Sequence, residues 1–86
     1  MKRKFYVYVI QNRKGLTYVG STENLTKRLH NHNENLSTFT KLKGPWELVW
    51  YCVFPDKEQA LSFEKYLKTH SGRDFIKKRL INPAKL

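Results

Sequence analysis

Five side chains in this 86-residue chain are of types, and at spacings, that could do acid–base or phosphate chemistry. Arg28 and His32 are four apart, so a helix through them puts both on one face. A guanidinium presents a rigid fork suited to phosphate oxygens, and an imidazole moves protons near neutral pH. The same two residues also read as a solvated surface pair. Glu64 falls inside the apolar arc that Ala60, Leu61, Phe63 and Leu67 draw on a helical wheel over 56–70. A carboxylate there needs a cation, a metal or several donors, and either a structural salt bridge or a functional site can provide them. Tyr8 and Tyr18 lie ten positions apart in two β-rich stretches. With residue 8 opposite residue 18 both rings share a face; a one-residue slip puts them on opposite faces. Taken singly, each is also an ordinary strand aromatic packing on a core. His30 reads as surface.

The charge points to a partner. Seventeen Lys and Arg against seven Asp and Glu leave a formal +10. Self-repulsion of that size fits a polyanion, with nucleic acid first. A solubility surface, or attachment to a ribosome or a membrane surface, would carry the same charge. Lys27, Lys41, Lys43, Arg73 and Lys77 are the candidate phosphate contacts. Basic groups with Tyr or Trp rings could bind nucleic acid without cutting it, although Trp46 and Trp50 alternate within a strand and read as buried. No Walker loop, paired-carboxylate pattern or nucleophile elbow is present. The lone Cys52 can form no internal disulfide, and no Cys/His cluster offers zinc. Phe5 to Ile10 follows a basic start but lacks the length and cleavage site of a signal peptide, and nothing is long enough to span a bilayer. We expect one domain over 1–86, cytoplasmic and with no membrane partner.

The elements that must position these residues follow from pattern. Phe5–Ile10 is dense in β-branched and aromatic residues, Asn12 to Gly15 supplies a turn, and Leu16–Gly20 returns as a second, antiparallel strand. Ser21 or Thr22 is the expected cap of a helix with Glu23 in its first turn, Leu25 and Leu29 on its buried side, and an end within Asn31–Asn35. Residues 36–45 form a loop closed by Gly44-Pro45. Trp46 to Phe54 is the clearest strand; Trp46, Leu48, Trp50, Cys52 and Phe54 alternate on one face, and its two apolar faces predict a central position or one covered on both sides. Asp56 with Gln59 resembles a capping box for a helix to about His70, with Gly72 as its C-terminal cap. Arg73 to Ile81 forms a last short helix, ended by Asn82-Pro83. The expected class is α/β (α+β): a small three-stranded mixed or antiparallel sheet flanked by helices, in the order β-β-α-β-α-α.

In combination the fragments resemble a known family. Tyr6-Val7-Tyr8, Tyr18-Val19-Gly20 and Asn24-Leu25-Thr26-Lys27-Arg28-Leu29 resemble the GIY-YIG nuclease superfamily. Gly44-Pro45-Trp46-Glu47-Leu48-Val49 and Ala60-Leu61-Ser62-Phe63-Glu64 match as well, so the resemblance runs from Phe5 to about Leu80. It is strongest to small stand-alone bacterial members and to the nuclease domains of structure-selective resolvases and of the excision-repair incision subunit. It implies a hydrolase acting on phosphodiester bonds. Tyr18 would activate the attacking water, Tyr8 would orient water or phosphate, and Arg28 would neutralise charge on the phosphoryl oxygens. His32 would assist proton transfer or contact phosphate. Glu64 would hold one divalent metal, Mg²⁺ or else Mn²⁺. The chain departs from the pattern in three places: Tyr6 stands for the first Gly, Ser21 for a frequent Lys, and Ile76 is near the place of an Asn. Arg73 could supply the missing phosphate contact. A separate DNA-binding domain, usual in family nucleases, is not part of this sequence.

The reading is a metal-dependent endonuclease on DNA, weak alone or dependent on a protein partner for specificity. Its rival is a non-catalytic nucleic-acid-binding module or adaptor with the same fold.

Overall fold

The structure, a computed structural model, describes residues 3–36 and 40–81. Strands β1 (Phe5–Gln11) and β2 (Thr17–Thr22) precede helix α1 (Leu25–Asn33). Strand β3 (Glu47–Phe54), helices α2 (Lys57–Leu67) and α3 (His70–Phe75), and a π-helical turn, Ile76–Leu80, follow. The strands form one antiparallel sheet in the order β2-β1-β3, and the fold is α+β in the expected β-β-α-β-α-α sequence.

The sheet has an apolar layer on each side, because side chains alternate along β1 and its neighbours. Phe5, Val7, Val9 and Val19 pack with Ala60, Leu67 and Ile76 on the α2 side. Tyr8, Ile10 and Trp46 pack with Leu25 and Leu29 on the α1 side. Val7, Val9 and Ile10 are fully buried, each contributing on the order of 2 kcal/mol by removal from water.

Three expectations are corrected. The central strand is β1, not β3. β3 is an edge strand with Tyr51 and Val53 exposed; its apolar residues are shared between two layers by a bulge. Val9 pairs with Trp50 but Ile10 with Leu48, leaving Val49 as an extra residue. The bulge turns Trp46 and Leu48 to the α1 side while Trp50, Cys52 and Phe54 face α2. A single alternating face across the whole stretch therefore does not exist.

Asn24, not Ser21 or Thr22, caps α1: its Oδ1 accepts from the Lys27 N–H at 3.0 Å. Glu23 consequently precedes the helix. Ser21 and Thr22 stay in β2, extended by pairing with Val7 and Tyr6.

Gly72 is not a helix C-cap but lies inside α3. An added Cβ would sit within 2.5 Å of the Leu67 Cα and even closer to the Tyr66 carbonyl oxygen, so glycine is what lets α3 lie against the end of α2. The break between them is made by Thr69, whose Oγ1 accepts from the Gly72 N–H at 3.0 Å. Elsewhere the signals act as expected: Asp56 accepts from the Gln59 N–H at 3.1 Å, and Gly15 takes φ of 85° in the β1–β2 turn. The expected stop at Asn82-Pro83 lies outside the described residues.

Candidate active site

The β1–β2 register decides where the tyrosines point. Tyr8 pairs with Gly20 and Ile10 with Tyr18. The two tyrosines are thus diagonal neighbours on one face, the side that α1 covers. Tyr8 is 1% exposed, and its ring lies over Gly20, where an added Cβ would fall 2.7 Å from Cζ and nearer still to the hydroxyl.

Helix α1 brings two further groups to this face. The Arg28 Nε donates to Tyr8 Oη at 3.3 Å, and Tyr8 Oη lies 2.7 Å from His32 Nε2. Arg28 can only donate, so Tyr8 accepts from it, and the Nε2 of a neutral His32 is the partner within reach of the Tyr8 proton. His32 then carries its proton on Nδ1 and donates it to Thr40 Oγ1, 2.7 Å away. The chain of bonds runs Arg28, Tyr8, His32, Thr40. Thr40 is held in place from the loop side: its carbonyl accepts from the Trp46 indole at 3.1 Å, and the Asn33 side chain bonds both the N–H and the C=O of Trp46.

His32 and Thr40 are fully buried, and burial governs the ionisation here. It pushes the Tyr8 phenol up to about 12, with the Arg28 bond and charge opposing. It pulls His32 down to about 4, helped by the Arg28 charge. Both are neutral at pH 7. Arg28 itself is pushed up, first by its bond to Tyr8, and keeps its charge.

Tyr18 is half-buried, its ring 5.1 Å from that of His32. The Lys68 ammonium stands 5.7 Å from the Tyr18 ring centre, a cation–π distance. Lys68 also carries the site to α2, where its Nζ lies 2.8 Å from Glu64 Oε2. The other Glu64 oxygen accepts from the Ser21 hydroxyl at 2.6 Å. Tyr8, Tyr18, Arg28 and His32 therefore converge on the α1 side of the β1–β2 ribbon. Glu64 reaches the β2 strand from the other layer, and its charge is felt at Tyr8.

A surface pair is not what Arg28 and His32 form: the helix face that carries them is turned to the sheet, because Tyr8 supplies a partner for both. Glu64 has the cation that its position on the apolar arc demanded, Lys68. Three partners were not singled out from sequence: Thr40, Lys68 and, as a ligand of Glu64, Ser21. Lys68 alone left a signal, being one helical turn from Glu64. His30 is exposed, as expected.

The basic residues do not form one surface. Lys27 is exposed on α1, and Lys41 and Lys43 are exposed in the loop before β3. Arg73 and Lys77 line a cavity on the α2–α3 side together with Lys68, so Arg73 does not join Tyr8, Tyr18, Arg28 and His32. Ile76 is 3% exposed within the core and holds packing, not polar, chemistry. Tyr6 meets Tyr51 at 5.9 Å between ring centres, so the place where the resemblance puts a glycine has room for a ring.

Among the described residues no group of three or more His, Cys, Asp or Glu could hold a metal, and no helix is long and apolar enough to cross a membrane. Glu64 is thus a single-carboxylate candidate. Both its oxygens have partners here, Lys68 and Ser21, so a cation at Glu64 would have to displace one of them.

Comparison with known proteins shows the family and the fold. A UPF0213 protein of Staphylococcus saprophyticus is 32% identical over 75 residues, covering 86% of this chain and 92% of its own. One of Clostridium perfringens is 38% identical over 64 residues, covering 73% and 69%. The solution NMR structure of a UPF0213 protein from Bacillus halodurans matches with a TM-score of 0.59 and 26% identity, over 95% of this chain and 90% of that one. The family model of the GIY-YIG catalytic domain matches residues 4–79, and the chain belongs to that family.

Proposed function

We propose that the protein is a divalent-metal-dependent phosphodiesterase that cuts nucleic acid, with DNA as its substrate. The observation that carries this reading is the convergence of two tyrosines, an arginine and a buried histidine on one side of the β1–β2 ribbon, with a carboxylate at its other side. Binding alone would need cations and rings, not a buried chain of hydrogen bonds running through a phenol.

Each residue has a role its environment allows. Tyr8 keeps its proton at neutral pH and serves as a positioning donor, oriented by His32 and Arg28. Arg28 keeps a fixed positive charge to offset charge developing on phosphoryl oxygens. Tyr18, less buried and beside Arg28 and Lys68, is the group to take a proton from the attacking water, which it can do only after giving up its own. His32 is sealed from solvent and acts through Tyr8. Glu64 would hold the metal, whose contribution is Lewis-acid stabilisation of the phosphoryl group. Lys68, now on Glu64 Oε2, must give way to it. Lys27, Lys41 and Lys43 supply phosphate contacts that steer the strand. A protein partner would add specificity.

The Lys68–Glu64 ion pair also favours a second reading, in which the carboxylate is purely structural and the domain binds without cutting. A nicking assay separates the two. Wild type and Glu64→Ala are incubated with supercoiled plasmid and branched DNA in Mg²⁺, Mn²⁺ or EDTA. Metal-dependent cutting by wild type, absent in Glu64→Ala, supports the hydrolase. Salt-sensitive binding by both with no cutting supports the binding module.

A further inference from the structure

The feature that the five site residues leave unused is a cavity of about 480 Å³ on the other side of β2. This lies within the roughly 300–1,000 Å³ range of small-molecule pockets. Its walls are apolar: Leu16 and Val19 from β2 and its turn, Leu67 from α2, Ile76 and Ile81 from the π-helical segment. Its charged lining is of one sign, Lys68, Arg73 and Lys77, and no Asp or Glu among the described residues lines it. Lys68 pairs with Glu64, but Arg73 and Lys77 have no ion pair or side-chain hydrogen bond with any described residue. Thr17 and Gly15 at the turn are exposed, and a Cβ added at Gly15 meets nothing within 4 Å.

An apolar slot with free cations suits a group that is flat and apolar at one end and anionic at the other. A nucleotide has this form. The cavity shares one residue with the surroundings of the candidate active site: Lys68 lines it while touching Glu64 and standing over Tyr18. We infer that the cavity receives one unpaired nucleotide of the bound strand, its base against Leu16 and Ile81 and its phosphate on Arg73 and Lys77. A base in the slot cannot be paired, so the preferred substrate carries a bulged or single-stranded nucleotide beside the cut. This rests on the proposed hydrolase site and names its substrate class.

The test is equilibrium binding in EDTA, where nothing is cut, using fluorescence anisotropy of a paired duplex and of the same duplex with a one-nucleotide bulge. 2-Aminopurine at the bulge reports entry of the base. Thr17→Trp fills the mouth of the cavity from an exposed position, and Arg73→Ala/Lys77→Ala removes the phosphate contacts; thermal melts confirm that both fold. The wild type should bind the bulged duplex about tenfold more tightly, with a changed 2-aminopurine signal. Thr17→Trp should lose that preference and keep its affinity for the paired duplex, while the double variant should lose the preference and show a salt slope smaller by about one or two. Equal binding of the two duplexes by wild type, or a preference that survives Thr17→Trp, overturns the inference. So does binding of a free nucleoside monophosphate, blocked by Thr17→Trp, without discrimination between duplexes. Cutting in Mg²⁺ is measured separately. Cutting without bulge preference overturns this inference alone, and bulge preference without cutting overturns only the hydrolase.

Discussion

The ring of Tyr8 lies against the α-carbon of Gly20, its cross-strand partner, so closely that no side chain fits between them. Tyr8 cannot retreat, since Arg28 and His32 hold its hydroxyl from above. Gly20→Ala is therefore expected to destabilise the fold by about 1–3 kcal/mol, the usual range for overpacking. In a domain of this size the melting temperature falls by roughly 4–8 °C per kcal/mol. Urea denaturation and a thermal melt check this; a loss of stability within about 0.5 kcal/mol would mean that the ring has another resting place.

Gly72→Ala should be at least as damaging. Its methyl would meet backbone atoms of Tyr66 and Leu67, which cannot rotate away as a side chain can. We expect a loss of about 3 kcal/mol by urea denaturation. Circular dichroism should show the helices retained, because the clash is between α2 and α3, not within either.

The pH dependence of stability follows from His32. Its pKa in the fold, about 4, lies below its ordinary 6.5, so the unfolded chain binds the proton more readily. Stability from the neutral, buried ring is whole above pH 6.5 and is lost as pH falls toward 4. The slope integrates to an order of 3 kcal/mol. Tyr8 acts at the other end: raised from 10 to about 12, it contributes fully below pH 10 and loses that contribution as pH rises through 12. Urea unfolding of wild type and His32→Gln from pH 4 to 7 tests the acid limb, which the variant should flatten.

Tyr8→Phe removes the donor that His32 Nε2 accepts and the acceptor that Arg28 Nε uses. A buried imidazole nitrogen left without a partner costs about 1–3 kcal/mol. The same change should abolish metal-dependent cutting if Tyr8 orients the phosphate. Nicking at a temperature where both proteins are folded separates the two effects.

Lys68→Ala frees Glu64 Oε2 from the cation that occupies it. Lys68 is about half exposed, so its i,i+4 pair contributes little to stability, less than about 0.5 kcal/mol. Its removal should tighten Mn²⁺ binding about twofold, the equivalent of a surface ion pair. Electron paramagnetic resonance of Mn²⁺ reads this without any reaction, and an unchanged affinity would place the metal elsewhere.

Much of this protein was legible in its residues. The β1–β2 hairpin, its turn at Gly15, the Asp56 cap and the three-stranded α+β order all rest on local signals: propensity, turn chemistry and side-chain period act within a few residues. Types and spacing left Tyr8, Tyr18, Arg28, His32 and Glu64 open between a site and an ordinary surface or core reading; the family resemblance is what singled them out. Register and layer assignment were not legible. Whether Tyr8 and Tyr18 share a face depends on which residue pairs with which across strands, and sequence spacing is compatible with either slip. Likewise β3 looks central from its two apolar faces. Only the pairing order and the bulge at Val49 show that it is an edge whose apolar residues serve two layers. Gly72 reads as a helix stop because glycine has that local use, while its role here is set by a neighbour helix that no local window contains. The burial of His32, the partners Thr40 and Lys68, and the cavity behind β2 belong to the same class: each is a meeting of distant segments, fixed by packing and not by any one of them.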